Sequence, residues 1–173
     1  FDAVNSFCLV VDHDAHATLA QNTVNVGTGT GDSKGVDVGP AAVVAVLDNV
    51  VQGAETAGHS YGIEIGTSSH ALLAGNQVNV GDVTGDGKRA FGLFFYGLTA
   101  TIAEENEILG GSALYYSHGV YVDNGAYVEF YDNIVFGGAP MAYEGVSAAL
   151  TMDSATGFFD GNLFQGGDSD QGF

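Results

Sequence analysis

Two acidic residues, Asp37 and Glu64, stand 27 positions apart, each flanked by apolar residues in Val36-Asp37-Val38 and Ile63-Glu64-Ile65. Carboxylates brought to about 5 Å can divide the roles of acid and nucleophile in cleaving a glycosidic bond. Their simpler use is an ordinary acidic face. A second oxygen-rich segment is Gly81-Asp82-Val83-Thr84-Gly85-Asp86-Gly87. Oxygens at alternate positions, as in Asp82, Thr84 and Asp86, followed by a turn glycine can converge on calcium. The ninth and twelfth positions of such a loop are Ala90 and Leu93 here, so its acidic ligands are incomplete. The five histidines and the Asp12-His13-Asp14 turn form no recognisable triad order, and Cys8, the only cysteine, reads as a small packing residue. Phe94, Tyr96 and Tyr121, with Leu150 and Met152, fall at positions that point outward if the chain repeats as described next. Such an apolar patch marks a contact surface, a platform for sugar rings, or a surface covered by long turns such as 112–117.

What places these residues is an internal repeat. Asparagines recur at Asn22, Asn49, Asn76, Asn106, Asn133 and Asn162, with spacings of 27, 27, 30, 27 and 29. Two positions after each stands Val24, Val51, Val78, Ile108, Val135 or Phe164. Five and three positions before them run two further, mostly apolar columns, Ala17 to Gly157 and Leu19 to Phe159. Counting back 14 residues gives a column of small residues, Cys8, Gly35, Gly62, Gly92, Gly119 and Ala148. An apolar-x-apolar pair follows it, as in Val36-x-Val38. Alternation with period two, repeated every 27 or so residues, predicts three short strands per coil with one buried face. Each strand then pairs in parallel with its counterpart one coil away, about 4.8 Å distant. The Asn column is expected in the tight turn between the second and third strands. There Asn tolerates left-handed backbone, and its amide bonds to the coils above and below as a ladder.

The 27 glycines and 46% hydrophobic residues suit strands and turns rather than disorder. The balance of 21 acidic against 3 basic residues, net −18, works against nucleic acid and anionic membranes as partners. No apolar run is long enough to insert in a membrane as a helix.

The six Asn-x-(Val/Ile/Phe) turns and strands such as Gly62-Ile63-Glu64-Ile65 resemble the right-handed parallel β-helix repeat family of pectate-lyase-like enzymes and bacterial secreted or surface proteins. The expectation is a single all-β domain over residues 1–173, a right-handed solenoid of about six coils. Neither end reads as a cap, so the chain is expected to be a segment of a longer protein or a subunit that stacks end to end. One scaffold hosts many roles. The favoured role is an extracellular or cell-surface structural or adhesive module that contacts itself or neighbouring domains without catalysis. The alternatives are a glycoside hydrolase or lyase, with Asp37 and Glu64 as candidates, and a non-catalytic glycan-binding solenoid. Calcium at Asp82, Thr84 and Asp86 is the one cofactor the sequence offers.

Overall fold

The structure, a computed structural model, describes residues 5–140 and 145–167. Eighteen strands, numbered in chain order, form three parallel six-stranded sheets. Sheet A contains β1 (Ser6–Val11), β4 (Ser33–Val38), β7 (Ser60–Ile65), β10 (Arg89–Phe95), β13 (Tyr116–Asp123) and β16 (Val146–Asp153). Sheet B contains β2 (His16–Ala20), β5 (Val43–Leu47), β8 (His70–Ala74), β11 (Ala100–Glu104), β14 (Tyr127–Tyr131) and β17 (Thr156–Asp160). Sheet C contains β3 (Thr23–Asn25), β6 (Val50–Gln52), β9 (Gln77–Asn79), β12 (Glu107–Leu109), β15 (Ile134–Phe136) and β18 (Leu163–Gln165). In every sheet each strand pairs only with its counterparts in the coils directly before and after it. The chain is a parallel β-solenoid of about six coils with three strands per turn.

The apolar columns fill the shaft. Val36, Ile63, Leu93 and Val120 from sheet A, Val46, Leu73, Ala103 and Phe130 from sheet B, and Val51, Val78, Ile108 and Val135 from sheet C are fully enclosed. No coil buries its own apolar side alone, so each depends on its neighbours. A further parallel column of single bridges, Gly29, Thr56, Val83, Ala113 and Pro140, runs through the turn that leads from sheet C to the next strand of sheet A.

The six asparagines lie in one file. Asn49, Asn76, Asn106 and Asn133 are buried. The Nδ2 of Asn76 donates to Oδ1 of Asn106 at 2.9 Å and to the carbonyl of Val46 at 2.7 Å. The backbone N–H of Asn76 donates to the same Oδ1 at 3.0 Å. Left-handed backbone falls one residue earlier than expected, on Gln21, Asp48, Gly75, Glu105, Asp132 and Gly161, with φ from 53° to 68°. The asparagine is there for its amide, which reaches carbonyls that no apolar side chain could satisfy, and the residue before it makes the corner.

The last coil departs from the repeat as counted from the asparagines. Its turn between β16 and β17 is one residue shorter. Tyr127 pairs with Thr156, 29 positions on, whereas Asp123 pairs with Asp153, 30 positions on. In a strand a slip of one residue moves every side chain to the opposite face. The small-residue column therefore ends at Ala149, not Ala148. Leu150 and Met152 stand over buried Val120 and Val122, in the inward columns. Their expected place in the outward patch is thus corrected; Thr151 takes the outward position beside Tyr121.

Asn76→Leu removes the acceptor used by Asn49 and the donor used by Val46 and Asn106. With each stranded buried group costing about 1–3 kcal/mol, the variant should lose about 3 kcal/mol of unfolding free energy in urea. A loss below 1 kcal/mol would refute the ladder's energetic role.

Candidate functional site

The outer face of sheet A gathers most of the residues singled out for chemistry, through a break in alternation. Register skips the small column at Cys8, Gly35, Gly62, Gly92 and Gly119. At Gly62 the residue and its successor Ile63 are both buried. A Cβ at Gly62 would strike the side chain of Val78 and the carbonyl of Gly92, so only glycine fits there. The irregularity, bulge-like, turns residues three apart onto the same outer face. Lys34 and Asp37, Tyr61 and Glu64, Phe91 and Phe94, and His118 and Tyr121 become pairs within single strands. Period-two alternation alone does not reveal this second outward column. The glycine one position after each member was the available signal.

Asp37 and Glu64 are paired in register, and Lys34 sits between them. Its Nζ lies 3.0 Å from Glu64 Oε1 and 3.3 Å from Asp37 Oδ1. The same ammonium lies 5.5 Å from the ring centre of Phe7 and 5.6 Å from that of Tyr61. Burial works to lower the Lys34 pKa, but the two carboxylates outweigh it and hold the ammonium charged. Burial also raises the pKa of Glu64, against the pull of Lys34. The Tyr61 hydroxyl is pushed far up by burial and by the neighbouring carboxylates. These groups form an ion knot in which two carboxylates share one ammonium.

Beyond it the face is aromatic. Tyr61, Phe91 and His118 stack along the shaft, with ring centres 5.2 and 5.5 Å apart and planes within 15°. Phe94 stacks on Tyr96 at 5.6 Å and meets Tyr121 at 5.8 Å. Thus three of the five expected patch residues, Phe94, Tyr96 and Tyr121, do come together. Tyr116 lies parallel to His118, and the Arg89 guanidinium caps its ring at 4.9 Å. Rings stacked in this way spend their faces on one another, an arrangement favourable for aromatic pairs.

His118 is buried within this stack. Its Nδ1 is 3.0 Å from the Thr151 hydroxyl, and Nε2 has no partner among the described residues. Burial, reinforced by Arg89, lowers its pKa to about 4.

The other expected sites lie apart. Asp82 and Thr84 flank buried Val83, whose backbone bridges Thr56 and Ala113. Asp82 Oδ1 accepts the Ser112 N–H at 3.4 Å, and Asp86 is exposed. No cluster of three or more His, Cys, Asp or Glu comes together among the described residues. Cys8 is exposed rather than packed away, because the first coil has no described neighbour on its outer side.

Sheet B carries a feature the sequence reading did not anticipate. A shallow groove of about 670 Å³ crosses its outer face, floored by Val43, Ala45, Leu72, Ala100 and Ile102. His16 and His70 line it in one column, with Val43 between them. At one end Glu129 accepts hydrogen bonds from Tyr127 at 2.8 Å and Tyr131 at 2.7 Å. The hydroxyls of Tyr131 and then Tyr127 hold the Glu129 carboxyl below its usual range. The chain matches no family model, no curated protein and no solved structure.

His118 generates a test by pH. Above its ordinary value of 6.5 it is neutral both folded and unfolded. Between 6.5 and about 4 the unfolded chain binds a proton that the folded chain refuses, so stability falls as pH falls. His118→Phe, which keeps a ring beside Phe91, should remove this component. Its stability gain over wild type should be about 2 kcal/mol larger at pH 4.5 than at pH 7.5 in parallel urea titrations. An equal gain at both values would contradict a buried neutral histidine.

Proposed function

We propose that the chain is a structural module of the extracellular space or cell surface, a rigid shaft that works through protein contacts and without catalysis. The observation that carries this reading is that the polar and aromatic face of sheet A is closed on itself. Lys34 engages both carboxylates a hydrolase would need free, and the rings from Tyr61 to Tyr121 pack on each other instead of presenting open faces. A lyase of the pectate-lyase-like type, the finer resemblance raised by the repeat, would have to bind a polyanion. A net charge of −18 opposes that, and Lys34 is already engaged by carboxylates. Acidity of this degree also keeps a surface soluble in a salt-rich exterior.

A second reading has its own support. The groove on sheet B has the volume of a small-ligand site. An exposed Tyr127 ring and a Glu129 carboxylate with spare lone pairs stand at its end, which suits a neutral glycan.

Incubation with neutral and uronate polysaccharides tests the first reading. No new reducing ends and no unsaturated products are expected. Glu64→Gln should instead cost about 1–3 kcal/mol of stability, because Lys34 loses a buried charged partner while keeping Asp37. Turnover by the wild-type chain that Glu64→Gln abolishes, with stability intact, would replace the structural reading by a hydrolase. Calorimetric binding of neutral oligosaccharides, lost in Tyr127→Ala, would favour the glycan reading.

A further inference from the structure

The outer face of sheet B differs from that of sheet A by an absent ring and an absent cation. His70, Ala100 and Tyr127 follow one another in register across β8, β11 and β14. His70 and Tyr127 are exposed, and two strand spacings, about 9.6 Å, separate them. On sheet A the equivalent interval is filled. Phe91 stands there between Tyr61 and His118, with ring centres 5.2 and 5.5 Å apart. Ala100 leaves that place open, in the floor of the groove with Leu72 and Ile102. The absent cation concerns Glu129. Its two carboxylate oxygens accept the hydroxyls of Tyr127 and Tyr131, one each, at 2.8 and 2.7 Å. Those bonds keep the carboxyl below its usual range, and so ionised. Asp37 and Glu64 have Lys34, whereas Glu129 has no ion-pair partner among the described residues. No strand of sheet B contains Lys or Arg. An ionised carboxylate beside an apolar notch and two tyrosine rings can hold a cation by charge-assisted hydrogen bonds and by ring faces together.

We propose that the sheet B groove binds an arylalkylammonium ion. The ring of the ligand enters over Ala100, between His70 and Tyr127, and takes the place that Phe91 holds on sheet A. The ammonium reaches Glu129, two residues past Tyr127 on β14. That step is about 7 Å along the strand, the span of a short alkyl tether. The ring covers the apolar floor, Glu129 supplies the opposite charge, and the field of a chain at −18 draws a cation in. A neutral sugar uses the Tyr127 ring but leaves the charge of Glu129 unanswered, and an anion is repelled. This assignment goes beyond the structural reading and stands whether or not the shaft contacts other proteins.

The chain contains no tryptophan, so an indole ligand excited beyond the tyrosine band reports alone. Tryptamine is titrated with the 173-residue chain and followed by fluorescence anisotropy, beside tryptophol, its neutral analogue of similar shape. Saturable binding of tryptamine is expected, about tenfold tighter than that of tryptophol, because a charge-assisted bond replaces a neutral one. The difference should shrink as salt is added. Glu129→Gln should bind both ligands at the tryptophol level. Ala100→Phe fills the notch with the chain's own ring. It should lose both ligands while its urea midpoint stays at or above that of wild type. No saturable binding by the wild type, equal affinity for the two ligands, or a folded Ala100→Phe that still binds would each overturn the proposal. Should Ala100→Phe not fold, His70→Ala opens one wall of the notch. Both ligands should then weaken severalfold with the preference for the amine intact, and unchanged affinities would sink the idea. A neutral oligosaccharide that binds where tryptamine does not would also overturn it, and would give the groove to the glycan reading.

Discussion

Parallel pairing of each strand with its equivalent one coil away is the constraint on which the whole molecule depends. It forces like positions to stack a strand spacing apart, so every column must tolerate its own neighbours. Apolar columns become a continuous core, and a polar column survives inside only if it can bond to itself. Asparagine meets that demand because its amide is both donor and acceptor along the shaft axis. The four central members of the file are buried for that reason, and each also anchors a carbonyl of an adjacent coil.

The same stacking explains why the outer face of sheet A carries reactive residue types in an unreactive arrangement. The glycine column puts two outward residues into each strand, three positions apart, and stacking then sets them in files. Two carboxylates in one file share the ammonium of Lys34 in the next, and rings in a file cover each other from Tyr61 to His118. Burial follows from this self-packing, and it accounts for the shifted acidities of Glu64, Tyr61 and His118. Sheet B lacks such an irregularity. Its outer columns hold small and aliphatic residues over several coils, which leaves a groove between the flanking larger groups.

A solenoid also resolves the tension between a net charge of −18 and a compact fold. Acidic side chains sit mainly on turns and outer columns, where water and salt screen them. The exception among the described residues, Glu64, is nearly enclosed and has Lys34 against it. Stacking along an axis also spreads like charges lengthwise.

Much of this was legible in the chain itself. The spacing of the six asparagines and the period-two columns around them determine a parallel solenoid with three strands per coil, because only stacking buries such columns together. Asp37 beside Glu64, and Phe94 beside Tyr96 and Tyr121, follow from the same count. Other features belonged to the tertiary structure. The shortened turn before β17 flipped Leu150 and Met152 inward, since a single residue reverses the face of a strand and sequence counting from Asn162 could not locate where that residue was lost. Lys34 met its carboxylates only through the backbone irregularity at Gly35, which period-two reading does not describe. The groove on sheet B and the burial of the His118 ring likewise arise from how columns pack side by side, a relation that spacing along one chain does not contain.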